Sequence, residues 1–319
     1  NKDNIDFPSK QDVLAQTRFL RAFYYFELVK FFGDVPMVLD ERLGVDQVQQ
    51  LQRSPVSDVY AQIEQDLIFA SSILEPTSTI KGKATKGAAL ALLGKAYLYQ
   101  QKWSDAVSTF DQIINNGWYS LISDYADLFT VANENHAETV FDVQYSGLEG
   151  GSYGCLVCLE GNAGPGFQGI RQYNGPVYGD GNSYNLPTQD LYDFFPSNDP
   201  RKGFTILDID AFIAAQPNPQ NITYAIGAGG HTGYYNNKYI KRQGEIGLPD
   251  NDLTSPVNYR VIRYADVLLM AAEAHFQNGN SSTAEQYLNL VRQRAGVGVL
   301  SGISLEDIYR ERRLELSCE

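Results

Sequence analysis

The chain has little sulfur and little imidazole. Its 319 residues include two Met, three Cys and three His. Cys155, Cys158 and Cys318 are too few for a disulfide framework. "CLVC" is a lone C-x-x-C: no second pair completes a zinc site, and no strand-to-helix context makes it a redox motif. Free thiols or one local disulfide are the readings left. His136, His231 and His275 share no metal-ligand spacing, and His275 falls inside a helical repeat as a packed side chain. Positive charge is short as well: 25 Lys and Arg stand against 38 Asp and Glu, a net charge of −13. An acidic surface repels phosphate backbones, so nucleic acid is not an expected partner. The sequence has no run of about 18 apolar residues to cross a membrane, and no signal-peptide pattern.

What the chain has in quantity is rings and glycine: 21 Tyr, 16 Phe and 28 Gly. In "RFLRAFYYFELVKFFGDVP" (residues 18–36), seven of nineteen residues are Phe or Tyr. Helix signals bracket this stretch. Ser9 and Asp12 form a capping box after Pro8, and Gly33, Asp34 and Pro36 make a stop. On a wheel of about 100° per residue, Phe19, Phe23 and Phe26 cover one side. Leu20 and Phe31 flank them, and Leu28 and Phe32 lie opposite. A helix apolar nearly all round is expected to be buried between other helices.

Ser54-Pro55 opens a second helix running to about Leu74. "AALALLGKAYLYQ" lies in a third, and "WSDAVSTFDQIINNG" in a fourth that ends at Gly117. The last two carry a tetratricopeptide pattern in Leu93-Gly94, Tyr97, Ala106 and Phe110. Small residues let the helices approach, and large ones fill the gaps. A looser copy runs through "RYADVLLMAAEAHFQNGNSSTAEQYLNLVRQRAG", with Ala271, Ala272, Ala284 and Leu288 at equivalent offsets. Trp103 and Trp118 flank the fourth helix and read as structural. A last helix begins at Ser304, boxed with Asp307.

Between the repeats lies something different. "TVFDVQY" (139–145) reads as a short strand. From Ser146 to about Val257 the chain is dense in Gly, Asn, Pro and Tyr, and connections of that length are usually functional. Catalytic signals there are weak. "GGSYG" (150–154) matches a nucleophile elbow but lacks the strand before and the helix after. "DNDLT" (250–254) and "DGN" (180–182) hint at calcium without the glutamate of an EF-hand loop. Structural calcium is the one exception to an expectation of no cofactor and no metal. Paired acids for glycoside hydrolysis are not excluded by sequence, although the acids fall mostly on helix surfaces.

Four blocks now combine. "RFLRAFYYFELVKFFGDVP", "ATKGAALALLGKAYLYQQKWSDAVSTFDQII", "DLYDFFPSNDPRKGF" and "NYRVIRYADVLLMAAEAHFQNG" with "LNLVRQRAGV" and "IYRERRLEL" occur in this order. Together they resemble the SusD/RagB-type nutrient-binding outer-membrane lipoproteins of Bacteroidetes, over most of the chain. The resemblance implies a mainly α fold of about four tetratricopeptide-like helix pairs, with a large irregular loop-rich insertion carrying short strands. In this chain that means one domain over 1–319. Residues 1–138 and 257–319 are the scaffold, and 139–256 the ligand-binding part. It implies no enzyme activity and a place on the extracellular face of the outer membrane, held by an N-terminal lipid. It implies an oligo- or polysaccharide ligand and a SusC-like TonB-dependent transporter as partner. A peptide ligand, or a repeat scaffold for protein partners, are the alternatives. Family members start before the first block, at the lipid-bearing Cys, and continue beyond "ERRLEL", so native segments are expected on both sides. Cys318 is not the anchor.

Sugars are held by aromatic faces on C–H surfaces, with amides and charges bonding the hydroxyls. Two loop clusters supply that mixture. The first offers Tyr153, Phe167, Tyr173 and Tyr178. The second offers Tyr234, Tyr235 and Tyr239 with Asn236, Asn237 and Arg242, and lies where the family tends to place sugar-contacting rings.

Overall fold

The ring-rich segment folds as a single helix, α1 (Lys10–Phe32). Gly33 ends it at a φ of 65°, a left-handed value that suits glycine. The expected capping box is not formed: Ser9 accepts no side-chain bond, and Asp12 pairs instead with Lys83 at 2.6 Å. A single turn, α2 (Val45–Val48), interrupts the long connection. In α3 (Val56–Ile73), Pro55 holds the N-cap, one place later than the sequence suggests. A proline offers no capping side chain, so Asp34 accepts from the Val56 N–H at 2.9 Å. Thr85 caps α4 (Lys86–Tyr99), and left-handed Gly117 closes α5 (Trp103–Asn116).

The computed structural model describes residues 7–39, 42–148, 154, 161–226, 231–245 and 253–319. Tyr153, the "CLVC" cysteines and Asp250 lie outside the described residues. The chain divides into two compact units, residues 1–119 with 273–280, and 120–272 with 281–319.

In the first unit α1 packs on α3, α3 on α4 and α4 on α5. Phe19 and Phe26 of α1 are buried, as are Val59, Ile63 and Leu67 of α3. Each such side chain stabilises by about 1.5–3 kcal/mol. Arg21 grips the buried Asp66 with two bonds of 2.7 Å. The tetratricopeptide pattern has a direct physical meaning here. A β-carbon on Gly94 would lie 2.5 Å from the Phe110 ring, so only glycine lets α4 and α5 touch. His275 is buried and meets Asp111 at 3.0 Å, as a packed histidine should. One expectation fails. α1 is not covered all round: Tyr24 is 62 % exposed and Phe31 76 %. α3 covers one face, and within this unit nothing described covers the other.

The second unit holds the loop-rich stretch. In chain order it contains β1 (Thr139–Val143), α6 (Gly164–Gln168), β2 (Ile170–Arg171), β3 (Asp180–Gly181), α7 (Gln189–Phe194), α8 (Arg201–Thr205), β4 (Ile206–Asp208), α9 (Ile209–Ala214), β5 (Tyr234–Asn236) and β6 (Tyr259–Arg263). Three helices follow: α10 (Tyr264–Gln277), whose end from Glu273 is counted in the first unit, α11 (Ser281–Arg294) and α12 (Leu305–Leu316). The capping box at Ser304 and Asp307 forms as expected. The predicted strand β1 pairs antiparallel with β6, β4 with β5 antiparallel, and β2 with β3 in parallel. Two clusters fill the interior of the loops. One holds Ile170, Tyr173, Tyr178, Leu207, Tyr235 and Ile240, the other Tyr125, Phe129, Tyr239 and Val257.

Candidate functional site

A buried ionic lattice fixes the walls of the second unit. Arg201 holds Asp199 through two bonds, of 3.0 and 2.8 Å, and reaches Glu311 at 2.6 Å and Glu315 at 3.0 Å. Arg263 meets Glu138 at 2.5 Å, Glu315 at 3.1 Å and Glu319 at 2.6 Å. Arg294 bonds Glu138 at 2.6 Å and also Glu315. Lys238 donates to the Glu315 carbonyl at 2.8 Å and to Glu319 at 2.7 Å. Burial alone would push Glu315 and Glu319 up, but the surrounding guanidiniums and the Lys238 ammonium hold both below the ordinary carboxylate range. The lattice ties α8, β6, α11 and α12 to the 236–239 turn.

The turn carries half of the second predicted cluster, Asn236, Asn237 and Tyr239, and the cluster is largely consumed by the fold. Asn236 is buried: its amide donates to Gln168 at 2.6 Å and to the Cys318 carbonyl at 2.8 Å. Its oxygen accepts from the Lys238 and Tyr239 N–H groups. Tyr235 is fully buried, so its ring has no open face. Tyr239 is buried against Phe129, its hydroxyl accepting from the Arg260 N–H at 3.0 Å. Tyr235 enters the core while its neighbour Tyr234, on the opposite face of the strand, stays half-buried. Asn237 and Arg242 are also half-buried, and Arg242 donates to the Asn237 carbonyl at 2.8 Å. In the first cluster, Tyr173 and Tyr178 are core residues. Phe167 is half-buried beside Tyr184, which is 59 % exposed.

Two pockets flank the segments 191–192 and 236–237. The first, about 580 Å³, is lined by Asn162, Gln168, Asn185, Leu191, Asn236, Tyr239 and Tyr259, with Arg313 and Glu319 at its wall. Tyr259 is 41 % exposed and lies 5.7 Å, centroid to centroid, from Tyr239. The second, about 450 Å³, is lined by Tyr178, Tyr192, Lys202, Asp208 and Asn237 among others. Tyr192 stacks on Tyr234 at 4.2 Å with 17° between planes, and the Lys202 ammonium sits 3.5 Å from the Tyr192 centroid. Sequence reasoning named Asn236, Asn237, Tyr178 and Tyr239 but missed Gln168, Asn185, Tyr192, Lys202 and Tyr259. Tyr192 and Lys202 stand in a quoted block, "DLYDFFPSNDPRKGF", yet no local spacing marks them as pocket residues.

Elsewhere in the second unit, Asp142 and Arg260 face each other across β1 and β6. The closest approach is 4.0 Å, and neither Asp142 oxygen has a hydrogen-bond partner. Burial pushes the Asp142 carboxyl up to about 7, with Arg260 offsetting part of the rise. Among the described residues no group of three or more His, Cys, Asp or Glu is placed to hold a metal ion. No helix among them is long and apolar enough to cross a membrane.

Comparison with known proteins gives a consistent picture. Residues 100–319 match the model of the SusD family, and residues 1–98 match one described as starch-binding associating with outer membrane. A SusD-like protein of Bacteroides ovatus is 30% identical over 339 residues, covering 98% of this chain and 58% of that protein. SusD-like protein P2 of Formosa agariphila is 30% identical, covering 96% and 63%. The chain therefore spans about three fifths of the length of these curated relatives. Among solved structures, a laminarin binding SusD-like protein superposes with a TM-score of 0.88 at 34% identity, over 99% of this chain and 70% of that one. Surface glycan-binding protein A from Bacteroides thetaiotaomicron in complex with laminarihexaose gives 0.87 at 26%, over 99% and 68%.

Proposed function

The chain belongs to the SusD family, and from that premise we propose a non-catalytic cell-surface protein that captures an oligo- or polysaccharide. It passes the ligand to a SusC-like TonB-dependent transporter and sits on the extracellular face of the outer membrane, held by a lipid. The observation that carries this reading is the 580 Å³ pocket of amides and tyrosines. Gln168 and Asn185 present amides, and Tyr259 presents a partly exposed ring, which is the mixture a sugar requires. The likeness to a laminarin binding structure makes a β-glucan the first ligand to test.

The ligand contacts follow from exposure. Tyr259, Gln168 and Asn185 form the proposed first site, with Phe167 next to Gln168 in the chain; Asn237 lines the second pocket, where Tyr234 stacks on Tyr192 and Arg242 bonds Asn237. Tyr235, Tyr239, Tyr173, Tyr178 and Asn236 hold the loops in shape. Calorimetric titration with laminarihexaose tests the proposal, with reducing-end release followed in parallel. Binding without product is expected, and Tyr259→Ala weakens it roughly tenfold, the scale of losing one well-packed ring. Released sugar, or no binding across a panel of neutral and acidic glycans, overturns it.

A further inference from the structure

Tyr184 is the most exposed ring among the described residues of the second unit, at 59 %. It does not hang on a loose loop. The N–H groups of Asn182, Ser183 and Tyr184 donate to the carbonyls of Gly166, Gly169 and Phe167 at 3.0, 2.8 and 2.8 Å. The Ser183 hydroxyl accepts from the Arg171 N–H at 3.0 Å. Ser183 and Asn185, on either side of the ring, both take a left-handed φ, 57° and 53°. Non-glycine residues seldom adopt that conformation, and it persists where surrounding bonds enforce it. A fixed backbone therefore presents the ring to solvent. Phe167, itself half-buried, backs it with centroids 6.1 Å apart and 33° between planes. The Tyr184 hydroxyl makes no hydrogen bond among the described residues.

The pair shares both of its supports with the 580 Å³ pocket. Gly164, Pro165 and Gln168 of α6 line that pocket. Phe167 follows Gly164 by three positions, on the neighbouring strip of the same helix. On the facing segment Asn185 lines the pocket, and Tyr184 precedes it by one position. Two rings bordered by Gln168, Asn182, Ser183 and Asn185 are far too small a surface for a stable protein interface. A single aromatic face does match the C–H face of a sugar unit. A ring already held in place also loses little freedom on binding, so its contact is not spent on ordering the loop.

We propose that Tyr184, backed by Phe167, is a stacking subsite beside the amide pocket, and that it makes the protein select longer glycan chains over short ones. One sugar unit occupies the pocket at Gln168, Asn185 and Tyr259, and a later unit of the same chain packs on Tyr184. The inference rests on the glycan-binding reading and adds chain length as its specificity.

The test titrates the full chain with laminarihexaose, cellohexaose and mannohexaose and with the trisaccharides of the same three series, for wild type, Tyr184→Ala and Tyr184→Phe. Circular dichroism confirms folding of each variant. Wild type is expected to bind a hexasaccharide more tightly than its trisaccharide. Tyr184→Ala should weaken the hexasaccharide roughly three- to tenfold, the scale of one stacked ring, and bring it towards the trisaccharide value. Tyr184→Phe keeps the ring face and should retain most of the affinity. Hydroxyl-radical footprinting gives a second readout: the bound hexasaccharide shields Tyr184, and the trisaccharide does not. Hexasaccharide binding that Tyr184→Ala leaves unchanged overturns the inference and leaves the proposed function standing. An equal loss for short and long chains overturns it too, because it marks a general effect on the pocket. Failure of wild type to bind any of the probes removes this inference together with the pocket reading beneath it.

Discussion

Replacing Arg201 by Ala should be among the most damaging single changes in the second unit. The guanidinium is fully buried and bonds Asp199, Glu311 and Glu315. The three carboxylates do not lose equally. Glu311 keeps Arg292 at 2.6 Å, and Glu315 keeps Arg263 and Arg294. Asp199 has no other cation among its described ion pairs and is left buried and uncompensated. Breaking a buried pair from one side costs about 3–5 kcal/mol. Because two of the three partners retain cations, the lower half of that range applies, about 3–4 kcal/mol. For a unit of this size each kcal/mol shifts Tm by roughly 2–4 °C, so a drop of about 6–16 °C is expected by scanning calorimetry. Adding Asp199→Ala removes the orphaned charge and should restore part of the loss. A cost under about 1 kcal/mol, or a double variant no better than the single, would refute the assignment of Asp199 as the dominant liability.

The remaining predictions concern pH and packing. Glu315 and Glu319 have folded pKa values below their unfolded ones, so their stabilisation is present above about pH 4.3 and lost as pH falls through the folded values. A steep fall in Tm on acidification below about pH 4 checks this. Asp142 works in the opposite sense. Its folded value of about 7 lies above the unfolded one, so its contribution is present in acid and lost as pH rises towards 7. Asp142→Asn should therefore flatten any decline in Tm between pH 5 and 8. Gly94→Ala drives a methyl into the Phe110 ring and should cost about 1–3 kcal/mol by urea denaturation, partly recovered by Phe110→Leu.

Much of the scaffold was legible because its signals are local. The α5 stop at Gly117, the Ser304–Asp307 box and the Gly94–Phe110 spacing each depend on residues within about one repeat. The Ser9–Asp12 box failed because a partner 71 positions away, Lys83, competed for the carboxylate. The uncovered face of α1 was missed for a related reason. A wheel records which side chains are apolar, not which sides of the helix have a neighbour.

The loop residues show the same limit more sharply. Tyr234 and Tyr235 are adjacent and chemically identical, yet one stacks at a pocket edge and the other fills the core. Only the pairing of β5 with β4 decides between them. The charged blocks have a plain structural meaning: Asp199, Arg201, Arg263, Arg294, Glu311 and Glu315 stand in the stretches that mark the family, and all of them meet inside the ionic lattice. Those blocks therefore report on the scaffold. Lys202 immediately follows Arg201, and Tyr259 precedes Arg260 by one position, so pocket residues are threaded among lattice residues without sharing their task. Neither Lys202 nor Tyr259 takes part in an ion pair of the lattice, so a change at either should leave those ion pairs in place.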